Sequence, residues 1–250
     1  MNKIDILTYH DRLHQPLFDI YFCPSFQQHL SQNFNLISHV DNNSSSADGS
    51  FESEHWSEIL INRFDILKEY VSKNLWSEKI AIFSDIDIVF FDDIYTTIQK
   101  SMEPKDPIPT TNAIDIAYMA ENLHCPHHMI NGGFFAFKCS EHILRFFDHI
   151  QCLAKKQKKP NDQPVIQSYF QRENKFNTTH ALLNKTEFCT NNNPLYMLNS
   201  LISTVKVFHA TSATNIIEKC HVLSNIILKK DLFNHKLSLV NKNLWINQLI

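Results

Sequence analysis

Lys79-Ile-Ala-Ile-Phe-Ser-Asp85-Ile-Asp87-Ile-Val-Phe-Phe91 is the stretch on which the fold turns. Residues 79–84 form a nearly continuous apolar run, the pattern of a strand buried on both faces of a parallel sheet. Two carboxylates two residues apart then emerge at its end, where unpaired charge is costly to bury. They call for a cation. Carboxylate oxygens suit hard ions such as Mg²⁺ and Mn²⁺, and an ion at a strand end can be shared with the pyrophosphate oxygens of a nucleotide. The plainer local reading is that Asp85 and Asp87 cap a turn.

The surrounding chain supports the sheet. Ile4–Tyr9 and Phe34–Val40 are short apolar, β-branched runs with a helical segment, 17–30, between them, which is a βαβ opening. After a polar loop at 42–50, the apolar residues Trp56, Ile59, Leu60, Phe64, Leu67 and Val71 recur at helical spacing, with Arg63 beside the stripe. Further strands are expected at 114–119, 133–137 and 205–208, and helices at 141–154 and 163–171. This alternation predicts an α/β fold in which helices flank a mostly parallel sheet, with ligands at the carboxyl ends of its strands. The tail, 231–250, is weakly amphipathic and reads as a packed helix or, alternatively, a membrane-surface contact.

Composition narrows the chemistry. The 250 residues are 43% hydrophobic and 20% charged, with a formal net charge of −3, so nothing attracts nucleic acid in general. The run Lys155–Lys159 reads as a solvated helix end. Only three glycines occur, Gly49, Gly132 and Gly133, and no Gly-rich phosphate loop can be written from them. A bound nucleotide diphosphate therefore needs another source of positive charge. Six cysteines without a C-x-x-C pair, together with no signal-peptide pattern and no membrane-length apolar run, give a cytoplasmic protein as the expectation.

The chain resembles nucleotide-diphospho-sugar transferases of the GT-A fold. The resemblance rests on Asp85-Ile-Asp87 inside an apolar strand, Asn131-Gly-Gly133-Phe-Phe-Ala-Phe137 before a helix, Asn161-Asp162-Gln163 opening another, and Val207-Phe-His209-Ala-Thr followed by Asn215 and Lys219. The segment from Gly49 to Trp56 and the helix carrying Arg63 are similar to the region before the D-x-D strand in one bacterial branch. The likeness runs over residues 1–225, and the order of the motifs makes it more specific than any one of them. One departure is that Gly132 and Gly133 stand together where the family often has Ala or Thr before the second glycine.

The resemblance implies a GT-A fold, Rossmann-like, with a mostly parallel, mixed central sheet between helices, and a glycosyltransferase domain over 1–225 with a helical tail over 226–250. It implies that Asp85, Asp87 and His209 hold Mn²⁺ or Mg²⁺, Asp85 bridging to the nucleotide ribose. Asp162 and Gln163 would then be the catalytic pair at the donor sugar. Thr8, Tyr9 and His10 would lie by the nucleotide base, Asn131, Gly132 and Gly133 by the sugar, and Arg63 and Lys219 on the donor side. The partners are a UDP- or GDP-sugar and an unidentified acceptor, with retention of anomeric configuration.

Each assignment has a plainer counterpart. His209 also reads as a core histidine, Gly132-Gly133 as a turn, Asp162 as a helix N-cap ahead of Pro164, and Arg63 as a solvated charge. The cluster His124-Cys125-Pro-His127-His128 matches no standard zinc spacing and is expected to be a loop. Two other functions fit part of the pattern. Asp85-Ile-Asp87-Ile-Val89 also suits the nucleophile motif of a haloacid-dehalogenase-like phosphatase, in which Asp85 attacks phosphate. A catalytically idle nucleotide-sugar-binding module is the other.

Overall fold

A computed structural model of the chain describes residues 3–42, 54–77, 79–103, 113–121, 130–157, 161–192, 202–211, 213 and 215–248, without the side chains of 54–57, 233 and 235–248. The expected His124–His128 loop and residues 49–53 of the Gly49–Trp56 segment fall outside the described residues.

The main sheet has six strands in the order β2-β1-β3-β6-β5-β7. These are β1 (Ile4–Asp11), β2 (Phe34–Asp41), β3 (Ile80–Ser84), β5 (Ile116–Ala120), β6 (Ile130–Lys138) and β7 (His180–Leu182). β1 runs parallel to both β2 and β3, and β5 is parallel to β7. β6 alone runs the other way, antiparallel to β3 and β5. A second sheet of three joins β4 (Ile88–Phe90), β9 (Val207–His209) and β8 (Phe188–Thr190), in that order.

Alternation along the strands divides the core in two. Ile82, Ala117, Met119, Phe134 and Ala136 point to one face of the main sheet, where they pack with the second sheet. Ala81, Phe83, Ile116, Tyr118, Phe135 and Phe137 point to the other. On that side lie α3 (Glu54–Lys73) and α5 (Glu141–Lys155), whose Phe64, Leu67, Val71, Ile143, Phe146 and Phe147 complete the packing. Helices therefore cover a mixed, mostly parallel sheet, as the apolar runs predict.

Two local features bear on the site. Between β5 and β6 the register jumps from Tyr118↔Phe135 to Met119↔Asn131, so residues 132–134 bulge out of that ladder. Gly132-Gly133 is thus part of a strand rather than a turn. The second feature is the long helix α7 (Ile216–Gln248), which runs through residue 225 without a break. From it the buried Lys230 donates to the carbonyls of Ile202, Ser203 and Val205 at 2.8, 3.0 and 3.0 Å. Those carbonyls belong to the segment leading into β9. The segment expected to be helical from 17 to 30 is so: α1 (Gln15–Leu17) and α2 (Cys23–His29) flank a π-helical turn at Phe18–Phe22 that no residue in the sequence announces, and α4 (Tyr95–Ser101) follows β4.

Candidate active site

Strand pairing assembles the centre. β3 ends at Ser84, and the turn Asp85–Asp87 leads into β4, whose Ile88 pairs with His209 at the end of β9. The Ala210 N–H donates to the Asp87 carbonyl at 3.0 Å, fixing the two segments side by side. Carboxylate oxygens of Asp85 and Asp87 and a ring nitrogen of His209 consequently lie within 4.8 Å of one another. On the neighbouring strand, the Asp85 N–H donates to the Gly133 carbonyl at 2.7 Å. That contact explains the glycine. A Cβ at Gly133 would stand 2.2 Å from His209 Cε1 and 2.5 Å from Asp85 Oδ2, and one at Gly132 would stand 2.7 Å from Asp162 Oδ2.

These residues line one cleft of about 420 Å³. Its far wall is α6 (Asp162–Ser168), which begins at an N-cap supplied by Asn161, whose side chain accepts from the Gln163 N–H at 3.1 Å. The cap role falls to Asn161, which leaves the Asp162 carboxylate available. It forms a buried ion pair with Arg63 from α3. Arg63 also approaches Asp85 Oδ1 at 3.6 Å and lies over the Phe83 ring, 5.1 Å from its centroid. It is not a solvated helix charge: only 4% of its side chain is exposed.

The donor set suits a hard divalent ion, with one imidazole added to two carboxylates. The Asn131 side-chain oxygen accepts from the Gly133 N–H at 2.9 Å and faces His209 Nδ1 at 3.1 Å. An acceptor there puts a proton on Nδ1 and turns Nε2 toward the carboxylates, the arrangement metal-binding histidines adopt. Nε2 lies 3.0 Å from Asp87 Oδ1 and 3.8 Å from Asp85 Oδ2. Lys219, from the first turns of α7, sits 2.7 Å from Asp87 Oδ2.

Charge in the cleft is uneven. Four carboxylates line it, Asp85, Asp87, Glu121 and Asp162, against the permanent cations Arg63 and Lys219. Burial alone would push the Asp87 carboxyl up, but Lys219 and His209 outweigh it and hold the group well below the ordinary range. Burial pushes Asp85 up; Arg63 opposes this and Asp87 adds to it, leaving the group raised. Burial would push His209 down, yet Asp87 beside it raises its affinity for a proton.

Of the residues singled out from sequence, Arg63, Asp85, Asp87, Gly132, Gly133, Asp162, Gln163, His209 and Lys219 all line this cleft. Asn131 does not. It is fully buried and its amide is committed at both ends, the nitrogen donating to Glu121. Thr8, Tyr9 and His10 sit on β1 outside the cleft lining. Tyr9 donates its hydroxyl to Asp41 at 2.8 Å on one face, while on the other His10 stacks on Phe18. Thr8 Oγ1 and His10 Nδ1 are buried without a hydrogen-bond partner among the described residues.

Three polar wall residues escaped the sequence reading: His14, Glu121 and Asn192. His14 is held by the buried Asp11, which accepts from both its backbone N–H at 2.9 Å and its ring Nδ1 at 2.6 Å. Glu121 follows β5 as directly as Asp85 follows β3. Ile116-Ala-Tyr-Met-Ala-Glu121 repeats the pattern of an apolar run closed by a carboxylate, and that signal would have found it.

Known proteins share this architecture. A glycosyltransferase involved in the glycosylation of the major capsid of PBCV-1 matches with a TM-score of 0.59 at 9% identity, over 87% of this chain and 98% of its own. The glycosyltransferase GlyE of Streptococcus pneumoniae TIGR4 matches with a TM-score of 0.55, also at 9% identity; 96% of this chain is covered, spanning 64% of that protein. No curated protein sequence matches significantly. Likeness at that identity speaks for the fold alone. Among the described residues, no helix is long and apolar enough to cross a membrane. The family model for nucleotide-diphospho-sugar transferases matches residues 20–223 and does not favour the phosphatase reading. With that match over most of its length, the chain belongs to the nucleotide-diphospho-sugar transferase family.

Proposed function

We propose that this glycosyltransferase carries a sugar from a UDP- or GDP-sugar to an acceptor hydroxyl, with a divalent ion, Mn²⁺ or Mg²⁺, held by Asp85, Asp87 and His209. The observation carrying this reading is the convergence of those three donors within 4.8 Å in a cleft dominated by carboxylates. A diphosphate entering such a cleft would be repelled unless a cation came with it. When bound there, the ion supplies positive charge to the departing diphosphate. Asp85, a third of whose side chain faces the cleft, is also the ribose contact in this reading. Lys219 and His14 supply further donors to the nucleotide, and in this reading its base lies toward the end of β1, where Thr8, Tyr9 and His10 stand.

In the transfer, the bond between anomeric carbon and diphosphate oxygen breaks and the acceptor oxygen bonds to that carbon. The acceptor proton leaves with the diphosphate. The carbon gains positive charge on the way, so a carboxylate and an amide oxygen nearby stabilise the transition state more than the ground state. Asp162, held by Arg63, orients the sugar, and Gln163 beside it faces the reacting carbon, with the configuration retained. Calorimetry with UDP and GDP tests the reading: affinity should collapse when a chelator is added, and unchanged affinity would overturn the assignment of Asp85, Asp87 and His209.

A further inference from the structure

We infer that Glu121 is a positioning residue that sets, through Asn131, which nitrogen of His209 is turned toward Asp85 and Asp87. The inference rests on the proposed metal site. Glu121 stands directly after β5, is 9% exposed, and both its oxygens are engaged: one by the Asn131 amide nitrogen, the other by Asn192 Nδ2 at 2.6 Å. Thr190 also donates to its backbone carbonyl at 2.8 Å, tying it to the strand beside β9.

The chain of donors and acceptors has one direction. An ionised carboxylate only accepts, so Glu121 obliges Asn131 to present its nitrogen on that side. The Asn131 oxygen must then face the opposite way, where the Gly133 N–H at 2.9 Å and the His209 ring at 3.1 Å meet it. An amide oxygen cannot donate, so His209 Nδ1 carries the proton and Nε2 is left to the carboxylates. Were Asn131 free to flip, its nitrogen would face Nδ1, and the opposite tautomer would put a proton on the nitrogen that must bind the ion. A negative charge at the outer end of the relay also makes the imidazole a better ligand.

The full-length chain and the bare ions test this. Free Mn²⁺ is measured by electron paramagnetic resonance during titration, and the ring-nitrogen shifts of His209 are read by ¹⁵N NMR with Mg²⁺ bound. Glu121→Ala should weaken Mn²⁺ binding roughly 10- to 100-fold and give a mixture of His209 tautomers. Glu121→Gln should stay within a few-fold of the parent, because its amide oxygen still accepts from Asn131. If the Ala variant fails to fold, Glu121→Asp, whose carboxylate stops one methylene short, carries the same expectation. Parent-like affinity and a single Nδ1–H tautomer in the Ala or Asp variant would overturn the role of Glu121 alone. A parent chain that binds neither ion would overturn the metal site itself, and this inference with it.

Discussion

Replacing Gly133 by Ala perturbs the centre without changing any charge. The new methyl would lie 2.2 Å from His209 Cε1, 2.5 Å from Asp85 Oδ2 and 3.0 Å from His209 Nδ1, whereas ordinary contact begins near 3.4 Å. One side must yield by roughly 1 Å. The backbone of β6 is poorly placed to do so, because the Gly133 carbonyl holds the Asp85 N–H and the Gly133 N–H is held by the Asn131 side chain. The side chains move instead, and they are two of the three proposed ligands. A misplacement of about 1 Å commonly costs on the order of 10²-fold in turnover. Overpacking should cost about 1–3 kcal/mol of stability, or roughly 2–12 °C in melting temperature for a chain of this size. Mn²⁺ titration, donor turnover and a thermal melt on one preparation separate these effects. Gly132→Ala is the contrast: its methyl meets Asp162 Oδ2 at 2.7 Å and Arg63 Nη2 at 3.1 Å, so turnover should fall while Mn²⁺ affinity stays near that of the parent. A Gly133→Ala enzyme that binds Mn²⁺ and turns over donor normally would refute the reasoning.

Other consequences can be measured separately. Gln163→Ala should lower kcat by about 10²-fold with nucleotide affinity within a few-fold, read by steady-state kinetics; near-full turnover would remove it from the reacting carbon. Asp162→Asn should lower kcat similarly and also destabilise the fold by roughly 1–3 kcal/mol, since it leaves the buried Arg63 with Asp85, at 3.6 Å, as its nearest carboxylate, so kinetics must be read well below the melting point. Slow release of nucleotide diphosphate from the correct donor without acceptor is expected, because water can enter an unfilled acceptor side; a donor panel that yields none counts against transfer. Asp5 offers a pH test away from the site. Burial would raise its pKa, but Lys79 at 2.7 Å, Asn35 at 2.9 Å and Tyr70 at 2.7 Å more than offset this and hold it below the usual carboxylate value. Its contribution is therefore present above the unfolded carboxylate pKa, about 3.9, and is lost as pH falls through the lower folded value. Asp5→Asn should melt earlier at pH 7, with the difference narrowing in acid; a gap independent of pH would contradict the ionic account.

The strand and its carboxylates could be read from Lys79–Asp87 because burial on both faces leaves a continuous apolar signature, and charge at its end is conspicuous. His209 was less accessible. Its place beside Asp87 depends on β4 pairing with β9, more than a hundred residues apart in sequence, and it was singled out by similarity to a family and by its position after the apolar run 205–208. The pairing of Arg63 with Asp162 has no local period at all, so the helix stripe near Arg63 suggested a charge at the surface when the side chain is buried over Phe83. Asn131 could be singled out but not placed: expected beside the sugar, it is buried outside the cleft lining, its amide oriented by Glu121 and Gly133 together.

Lys230 gives α7 a mechanical part in the centre. One end of the helix reaches Asp87 through Lys219, and three turns later, about 16 Å along the axis, Lys230 grips the carbonyls of Ile202, Ser203 and Val205. The helix works as a brace spanning the turn that bears two proposed ligands and the lead-in to the strand that bears the third. A chain cut after residue 225 would keep Asp85, Asp87, His209 and Lys219 while leaving those three carbonyls to find other donors, and the strand carrying His209, still paired with β4 and β8, would lose the anchor at its lead-in.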